Sequence, residues 1–186
     1  MRGAIRLNRR LLAVVVLVIV LGSGLVFGVV AFSKAVTPVK VGEEAADFTL
    51  PDLNGTPHSL SQYRGQPVMI NFFASWCEPC KEEAPHLRAF ENEYGDRVKL
   101  ILVNRAEPAV LAEEFVADYE LTSLVLLDEN NQVSKRYGVV GQPETLIIDE
   151  QGVLKYHQIG PLTTERMVQL VEQVTDVNLT GGAGQP

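Results

Sequence analysis

The chain of 186 residues contains little cysteine or histidine, the usual ligands of structural zinc, with only two cysteines and three histidines. Cys77 and Cys80 form a single Cys-x-x-Cys pair, and His58, His86 and His157 are scattered along the sequence. Because a structural zinc site takes four such ligands, the sequence predicts no metal site of this kind. The G-x-G-x-x-G fingerprint of dinucleotide-binding proteins is also missing, so we predict no cofactor.

Negatively charged residues are absent from the first 42 positions, whereas the remainder of the chain is strongly acidic. From residue 43 onward there are 10 lysines and arginines against 23 aspartates and glutamates, a net charge of −13. Nucleic-acid binding relies on clustered basic side chains that contact phosphates. Nucleic acid is therefore not a predicted partner.

Residues 11–32 lack charge of either sign and are almost entirely apolar. A helix of this length is about 33 Å long, which is enough to cross the hydrocarbon core of a bilayer. Four arginines precede the segment, and Lys34 and Lys40 follow it, so the N-terminus is predicted to lie in the cytoplasm. We predict an uncleaved anchor in the lipid bilayer, and a cleaved signal peptide is the alternative. Either way, the rest of the chain faces an extracytoplasmic compartment, where disulfides persist.

The sequence divides into five parts around this segment. Residues 1–10 are predicted to be cytoplasmic, residues 11–32 form the transmembrane anchor, and residues 33–42, which include Thr37-Pro38, form a linker. Residues 43–177 are predicted to form one domain. Residues 178–186 are rich in glycine and are predicted to be a disordered tail.

Strand and helix patterns alternate beyond the linker. Residues 68–73 and 98–103 form continuous apolar runs, which are typical of strands covered on both faces. The Asn54-Gly55 turn predicts a β-hairpin at the entrance to the domain. Together the patterns predict an α/β fold with a central mixed sheet flanked by helices. The other predicted strands are residues 124–127, 145–148 and 153–159, and the predicted helices are residues 79–94, 108–119, 131–137 and 163–174.

Both cysteines lie where the strand at residues 68–73 gives way to a helix. A thiol in the first turn of a helix faces unpaired backbone N–H groups and the positive end of the helix dipole, and both favour the thiolate. Cys80 lies one turn after Cys77, close enough to form a disulfide with it. A purely structural disulfide is the alternative, but a link across three residues at one helix end would constrain the chain very little.

The segment Trp76-Cys77-Glu78-Pro79-Cys80, after a buried strand, resembles the active-site signature of the thioredoxin superfamily. Pro85 matches the proline that kinks the following helix in that superfamily, and Gln142-Pro143 matches its cis-proline loop. The entrance hairpin, the Cys-Glu-Pro-Cys motif and the predicted anchor make the chain similar to the membrane-tethered ResA/TlpA-like thiol-disulfide oxidoreductases. The resemblance covers about residues 42–174 and implies a thioredoxin-like fold.

The resemblance also implies catalytic roles for three residues. Cys77 is the expected nucleophile that attacks a substrate disulfide, and Cys80 then resolves the mixed disulfide. Glu83, three positions after Cys80, is expected to assist proton transfer. The alternative for Glu83 is a solvated carboxylate on the helix surface, like that of its neighbour Glu82.

Further residues are expected to support the cysteines. Glu78 is expected to tune the thiol pKa and the reduction potential rather than to transfer protons. The predicted substrate-binding residues are Trp76, Pro79, Gln142 and Pro143. The alternatives are a packing role for Trp76 and an ordinary trans turn at Pro143.

Two positions depart from the pattern of the superfamily. Asn71 replaces the buried aspartate of thioredoxins, and an amide cannot take up a proton. Glu144 follows Pro143 where the group often has threonine, and the sequence alone does not indicate the effect of this change.

The resemblance implies an enzyme that exchanges disulfides with other proteins, as a reductant in cytochrome c maturation. A membrane protein would then supply the electrons, and an oxidised apocytochrome c would be the substrate. The open alternatives are a disulfide-forming oxidant, a copper-binding assembly factor and a redox-inactive thioredoxin-fold module. A peroxiredoxin fits less well, because the chain lacks the Thr-x-x-Cys context of those enzymes.

Overall fold

The computed structural model describes residue 13, residues 15–20 and residues 38–180, which belong to two separate units of the chain. Residues 15–20 are helical, and their side chains are exposed. Among the described residues, no helix combines the length and the apolar character needed to cross a bilayer. Most of the predicted anchor at residues 11–32 lies outside the described residues, so the anchor stays a prediction.

The second part begins with a short antiparallel hairpin of β1 (Thr49–Pro51) and β2 (Pro57–Ser59). Oδ1 of Asp52 closes its turn by accepting hydrogen bonds from the backbone N–H groups of Asn54 and Thr56, each over 2.8 Å. Gly55 adopts a φ of 80°, a conformation that glycine tolerates well. A 3₁₀ helix at Leu60–Tyr63 then leads into the main sheet.

The main sheet has five strands in the order β5-β4-β3-β6-β7. β3 is parallel to β4 and β4 is parallel to β5, whereas β6 is antiparallel to β3 and to β7. This arrangement confirms the mixed sheet that the sequence predicts. The strands are β3 (Val68–Phe73), β4 (Lys99–Arg105), β5 (Leu124–Asp128), β6 (Glu144–Ile148) and β7 (Leu154–Ile159).

The central strand β3 is buried at every position because the sheet is covered on both faces. Met69 and Phe73 point into one apolar cluster, and Val68, Ile70 and Phe72 point into the other. This alternation follows from the two-residue repeat of a strand. A strand covered on one face only would have polar side chains at every second position.

Helices cover both faces of the sheet. α1, α2 and α4 contribute apolar side chains to the same cluster as Met69, whereas α3 packs on the other face together with the segment around Phe48. In α1 the buried positions recur every three or four residues, as expected for a helix with one face against a core. The helices are α1 (Glu78–Tyr94), α2 (Ala109–Asp118), α3 (Gln132–Arg136) and α4 (Thr164–Val174).

The chain beyond α4 is packed against the domain as far as the structure describes it. Leu179 is buried, and its N–H donates to Oε1 of Glu172 over 2.7 Å. Arg97 donates to the carbonyl oxygen of Leu179 over 3.0 Å. The packed part of the chain therefore reaches beyond residue 177, where the sequence suggests that the domain ends.

The sheet topology brings three chain segments together at one edge. β3 and β4 are parallel, so both end there, and the antiparallel β6 begins there, with Glu144 opposite Phe72. The Cys-x-x-Cys turn follows β3, a polar loop follows β4, and the Gln142-Pro143 loop precedes β6. The predicted site residues converge at this edge.

Candidate active site

The two cysteines form a disulfide at the start of α1, with their Cα atoms 5.3 Å apart. Cys77 occupies the N-cap position of the helix, and its Sγ accepts a hydrogen bond of 3.3 Å from the N–H of Cys80. Their residues are 5% and 2% exposed, respectively. Pro79 lies in the first turn, where its missing N–H costs no helical hydrogen bond.

The turn that carries Trp76 is fixed by a buried carboxylate on the loop after β4. Oε2 of Glu107 accepts hydrogen bonds from the N–H of Ser75 over 2.8 Å and from Nδ2 of Asn104 over 2.7 Å. Oε1 of Glu107 accepts from the hydroxyl of Ser75 over 2.7 Å. The indole of Trp76 itself is 67% exposed, so the turn presents an aromatic side chain to solvent beside Cys77.

The Gln142–Pro143 peptide bond is cis, and this loop faces the disulfide. The carbonyl oxygen of Gln142 lies 3.5 Å from Sγ of Cys77. A groove of about 450 Å³ runs alongside, and its lining includes Trp76, Val140 and Gln142. The structure therefore brings three predicted substrate-binding residues, Trp76, Gln142 and Pro143, to one side of Cys77. The fourth, Pro79, is exposed in α1 and does not line the groove.

Glu83 is buried on the inner face of α1, with 1% of its surface exposed. Its Oε1 accepts a hydrogen bond of 2.8 Å from the N–H of Leu162, and its Oε2 accepts one of 2.9 Å from Nδ2 of Asn71. Burial raises the pKa of Glu83 to about 7, and the two hydrogen bonds oppose that rise. A carboxyl group with this pKa can either donate or accept a proton near neutral pH.

Glu78 lies on the same helix as Glu83 but in a different environment. It is exposed between the cysteines, in the first turn of α1, and lies 3.1 Å from Nζ of Lys81. Negative charge is favourable at this end of a helix. It also disfavours a nearby thiolate, which is the tuning effect expected from the sequence.

Four residues at the site are missing from the sequence predictions: Arg105, Glu107, Val140 and His157. Arg105 ends β4, Glu107 follows it, and Val140 lines the groove with 81% of its surface exposed. His157, on β7, is hydrogen bonded to the buried Glu144 over 2.6 Å. Arg105 and Glu107 could have been predicted from the sequence, because polar residues at the carboxyl end of a buried parallel strand commonly line a site. No comparable sequence pattern predicts the hydrogen bond between Glu144 and His157.

Other ionisable groups near the site do not form an obvious metal centre. Within residues 38–180 and the short N-terminal segment that the structure describes, no three His, Cys, Asp or Glu side chains are grouped so that they could bind a metal ion.

The Asn71 amide, which stands where thioredoxins have an aspartate, donates to Glu83 and to the hydroxyl of Thr145.

The sequence of this domain matches the model of the AhpC/TSA family over residues 41–157. The chain belongs to the AhpC/TSA family. Within it, the chain is 35% identical to the thiol-disulfide oxidoreductase ResA of Geobacillus thermodenitrificans, over 90% of this chain and 97% of that protein. It is 34% identical to the thioredoxin-like protein YneN of Bacillus subtilis, over 76% and 84% of the two chains.

Comparison with solved structures agrees with this fold. StoA from Bacillus subtilis superposes with a TM-score of 0.58 and 31% sequence identity, over 68% of this chain and 95% of that one. The protein is thus a thiol-disulfide oxidoreductase with a thioredoxin-like fold, and its Cys-x-x-Cys pair is Cys77–Cys80. The resemblance expected from the active-site signature is confirmed.

Proposed function

We propose that this protein is a reductant of disulfides in other proteins and that it acts outside the cytoplasm. Cys77 is the nucleophile, Cys80 the resolving thiol and Glu83 the acid/base group. The observation that carries the proposal is the position of Cys77, whose sulfur lies 3.5 Å from the carbonyl oxygen of Gln142, a residue that lines an open groove. A substrate chain in that groove would present its disulfide to Cys77 before it could reach Cys80.

The reaction proceeds in two thiol-disulfide exchange steps. The thiolate of Cys77 attacks one sulfur of the substrate disulfide, which breaks the substrate S–S bond and forms a mixed disulfide. Cys80, after losing its proton, attacks Sγ of Cys77 and releases the second substrate sulfur. The substrate has then gained two electrons and two protons, and the Cys77–Cys80 disulfide has formed. A dithiol of a membrane electron donor returns the protein to its reduced form by the same chemistry in reverse.

Glu83 suits the second step because it lies one helical turn after Cys80 and is buried with it. As a carboxylate it can accept the Cys80 proton when this thiol attacks the mixed disulfide. Asn71 cannot take this role, since its amide does not titrate, but it donates to the Glu83 carboxylate. The pKa of about 7 permits the carboxyl group to cycle between its two forms at neutral pH.

The reductive direction is supported by the charges around the helix end. Glu78 lies between the cysteines and Glu107 supports the preceding turn, whereas Lys81 is engaged by Glu78. Negative charge disfavours a thiolate, and strong oxidants owe their high potential to a stabilised reduced form. An acidic setting therefore favours a low potential and a good reductant.

The cellular setting that we propose rests on the sequence. The apolar segment at residues 11–32 would anchor the protein in the lipid bilayer as a single-pass chain with its catalytic domain extracytoplasmic. The substrate we propose is the oxidised haem-binding cysteine pair of an apocytochrome c, on the basis of the resemblance to the ResA/TlpA-like group. Trp76, Gln142 and Pro143 would contact this substrate, and Pro79 would lie at the helix end beside it.

The test is a trapping experiment with the full-length protein and an oxidised peptide that contains a Cys-x-x-Cys-His disulfide. We expect reduced Cys80→Ser to accumulate a mixed disulfide through Cys77, and Cys77→Ser to form none. Wild-type protein should reduce the peptide and become oxidised in equal amount. A mixed disulfide through Cys80 would contradict the assignment of the nucleophile. Stoichiometric Cu(I) binding without any peptide reduction would instead support a copper-binding factor.

A further inference from the structure

Glu144 is a fully buried carboxylate that directly follows Pro143. Its Oε1 accepts hydrogen bonds from the backbone N–H groups of Val140 over 2.9 Å and Gly141 over 2.6 Å. Its Oε2 is hydrogen bonded to Nε2 of His157 over 2.6 Å. Because an unpaired buried carboxylate is strongly unfavourable, this residue is tolerated through these three contacts, and two of them are to the segment before the cis-proline.

Arg105 reaches the same segment from the end of β4. Its Nη1 donates to the carbonyl oxygen of Gly141 over 2.5 Å and to Oε1 of Gln142 over 2.7 Å. Its Nε donates to Oγ of Ser134, and that hydroxyl is in turn bonded to Asp128 over 2.7 Å. Burial lowers the pKa of the Arg105 guanidinium. The carboxylates of Glu144 and Asp128 attract the cation and oppose this lowering. The cation is therefore stabilised electrostatically by two buried carboxylates, while its direct hydrogen bonds are to Ser134, Gly141 and Gln142.

Residues 140–142, which we term the 140–142 loop, belong to no helix or strand. Backbone groups outside regular structure depend on side chains or water for their hydrogen bonds. Here Glu144 binds two N–H groups of the loop, and Arg105 binds one carbonyl oxygen and one side-chain oxygen. The same loop carries the Gln142 carbonyl oxygen that lies 3.5 Å from Sγ of Cys77 and the exposed Val140 side chain in the groove.

We propose that Glu144 and Arg105 are positioning residues that fix the 140–142 loop against the active-site disulfide and thereby set the affinity for a substrate chain beside Cys77. This inference rests on the proposed function, because it concerns the same groove. Neither residue contacts the sulfur atoms. Arg105 also lines the groove, whereas the fully buried Glu144 can reach a substrate only through the loop. The predicted effect is therefore on substrate binding and not on the thiol chemistry.

The first variant is Arg105→Met, which removes the guanidinium and keeps an unbranched side chain. We expect the KM of the full-length protein for the oxidised Cys-x-x-Cys-His peptide to rise about tenfold, since two charge-assisted hydrogen bonds to the loop are lost. The value of kcat should change less than about twofold, because cysteine geometry is unaltered. The equilibrium constant of the protein with dithiothreitol should stay within about twofold of the wild-type value.

Arg97→Met is the matched control. Nη1 of Arg97 also donates to two backbone carbonyl oxygens, those of Asn178 and Leu179. Arg97 lies before the start of β4, whereas Arg105 lies at the end of that strand beside the site. We expect its KM to equal that of the wild type. Equal increases of KM in both variants would show a general loss of structure and would overturn the proposal.

Glu144→Gln is the second variant, and it keeps the shape of the side chain. Its neutral oxygen accepts weaker hydrogen bonds, so amide hydrogen exchange at Val140 and Gly141 should become at least about tenfold faster, while exchange at the core strand residue Ile70 should not change. Unchanged exchange at the loop, or unchanged KM in both site variants, would overturn the proposal. If wild-type protein does not reduce the peptide, the proposed function fails, and the exchange rates still decide whether these residues position the loop.

Discussion

Nδ2 of Asn71 donates a hydrogen bond of 2.9 Å to Oε2 of Glu83, and both side chains are buried between β3 and α1. The amide oxygen of Asn71 has no hydrogen-bond partner among the described residues. If Glu83 is protonated, rotation of the amide by half a turn lets this oxygen accept the new proton. Asn71 can therefore adapt to both forms of Glu83, which a second carboxylate at this position could not do without a like-charge contact.

The first prediction concerns the pH dependence of catalysis. Glu83 accepts a proton only as a carboxylate, and its pKa is about 7. The rate of mixed-disulfide resolution should therefore rise with pH up to about 7 and then level off. In Glu83→Gln the step should be at least about tenfold slower at neutral pH and should lack this inflection. Stopped-flow kinetics of the reduced protein with the oxidised peptide between pH 5 and about 9 measure both effects.

The matched control for that experiment is Glu82→Gln. Glu82 is the exposed neighbour of Glu83 on the same helix, and the substitution removes one negative charge in the same way. Its profile should follow that of the wild type. An inflection that survives in Glu83→Gln would show that another group supplies the proton acceptor.

The second prediction concerns stability. The pKa of Glu83 is raised in the folded state, from 4.5 to about 7, so folding favours its protonated form. The associated stability is fully present below pH 4.5 and is lost as the pH rises to about 7. The loss amounts to about 3 kcal/mol and should be absent from Glu83→Gln. Urea denaturation of both oxidised proteins between pH 4 and about 8 measures this difference, and parallel curves would contradict it.

The third prediction concerns Asn71. Its hydrogen bond to Glu83 lowers the pKa of that carboxyl group, so Asn71→Ala should raise this pKa above its wild-type value. Thr145→Val removes the other acceptor of the Asn71 amide and should shift the pKa much less. Titration of the Glu83 carboxyl carbon by NMR distinguishes the two variants. A lower pKa in Asn71→Ala would contradict the assigned role.

The fourth prediction concerns the groove. Trp76 and Val140 are exposed apolar side chains beside Cys77, and a substrate chain would bury them. Trp76→Ala and Val140→Ser should each raise KM about fivefold or more, with little change in kcat. Val41→Ser replaces another exposed valine, with 57% of its surface exposed, that does not line the groove. If this control raises KM as much, apolar surface in general, and not the groove, binds the peptide.

Much of the fold follows from local patterns. The apolar runs at β3 and β4 predict the two central strands because both faces of the sheet are covered, and the helix that starts at the cysteines continues to Tyr94 as its spacing indicates. The Asn54-Gly55 turn is found between β1 and β2. The observed limits of helices and strands differ from the predicted ones by one or two residues. For example, α2 begins at Ala109 and not at the predicted residue 108.

The contacts that position the site residues are harder to predict from the sequence, because they join residues far apart in the chain. Glu83 has a regular helical spacing from Cys80, so its position could be predicted. Its burial depends on Leu162, which is 79 residues away, and that contact has no local signature. The same holds for Glu144, whose partner His157 lies on the neighbouring strand β7 and whose loop is shared with Arg105 from β4.

The most direct test of the account is the equilibrium reduction potential of the Cys77–Cys80 pair, measured on the full-length protein in dithiothreitol and glutathione buffers. The acidic setting of the disulfide predicts a value near or below that of thioredoxin, about −270 mV, as a reductant requires. A value near that of a strong oxidant, about −120 mV, would reverse the proposed direction of electron transfer. Absence of a two-electron transition would contradict a redox role for the pair.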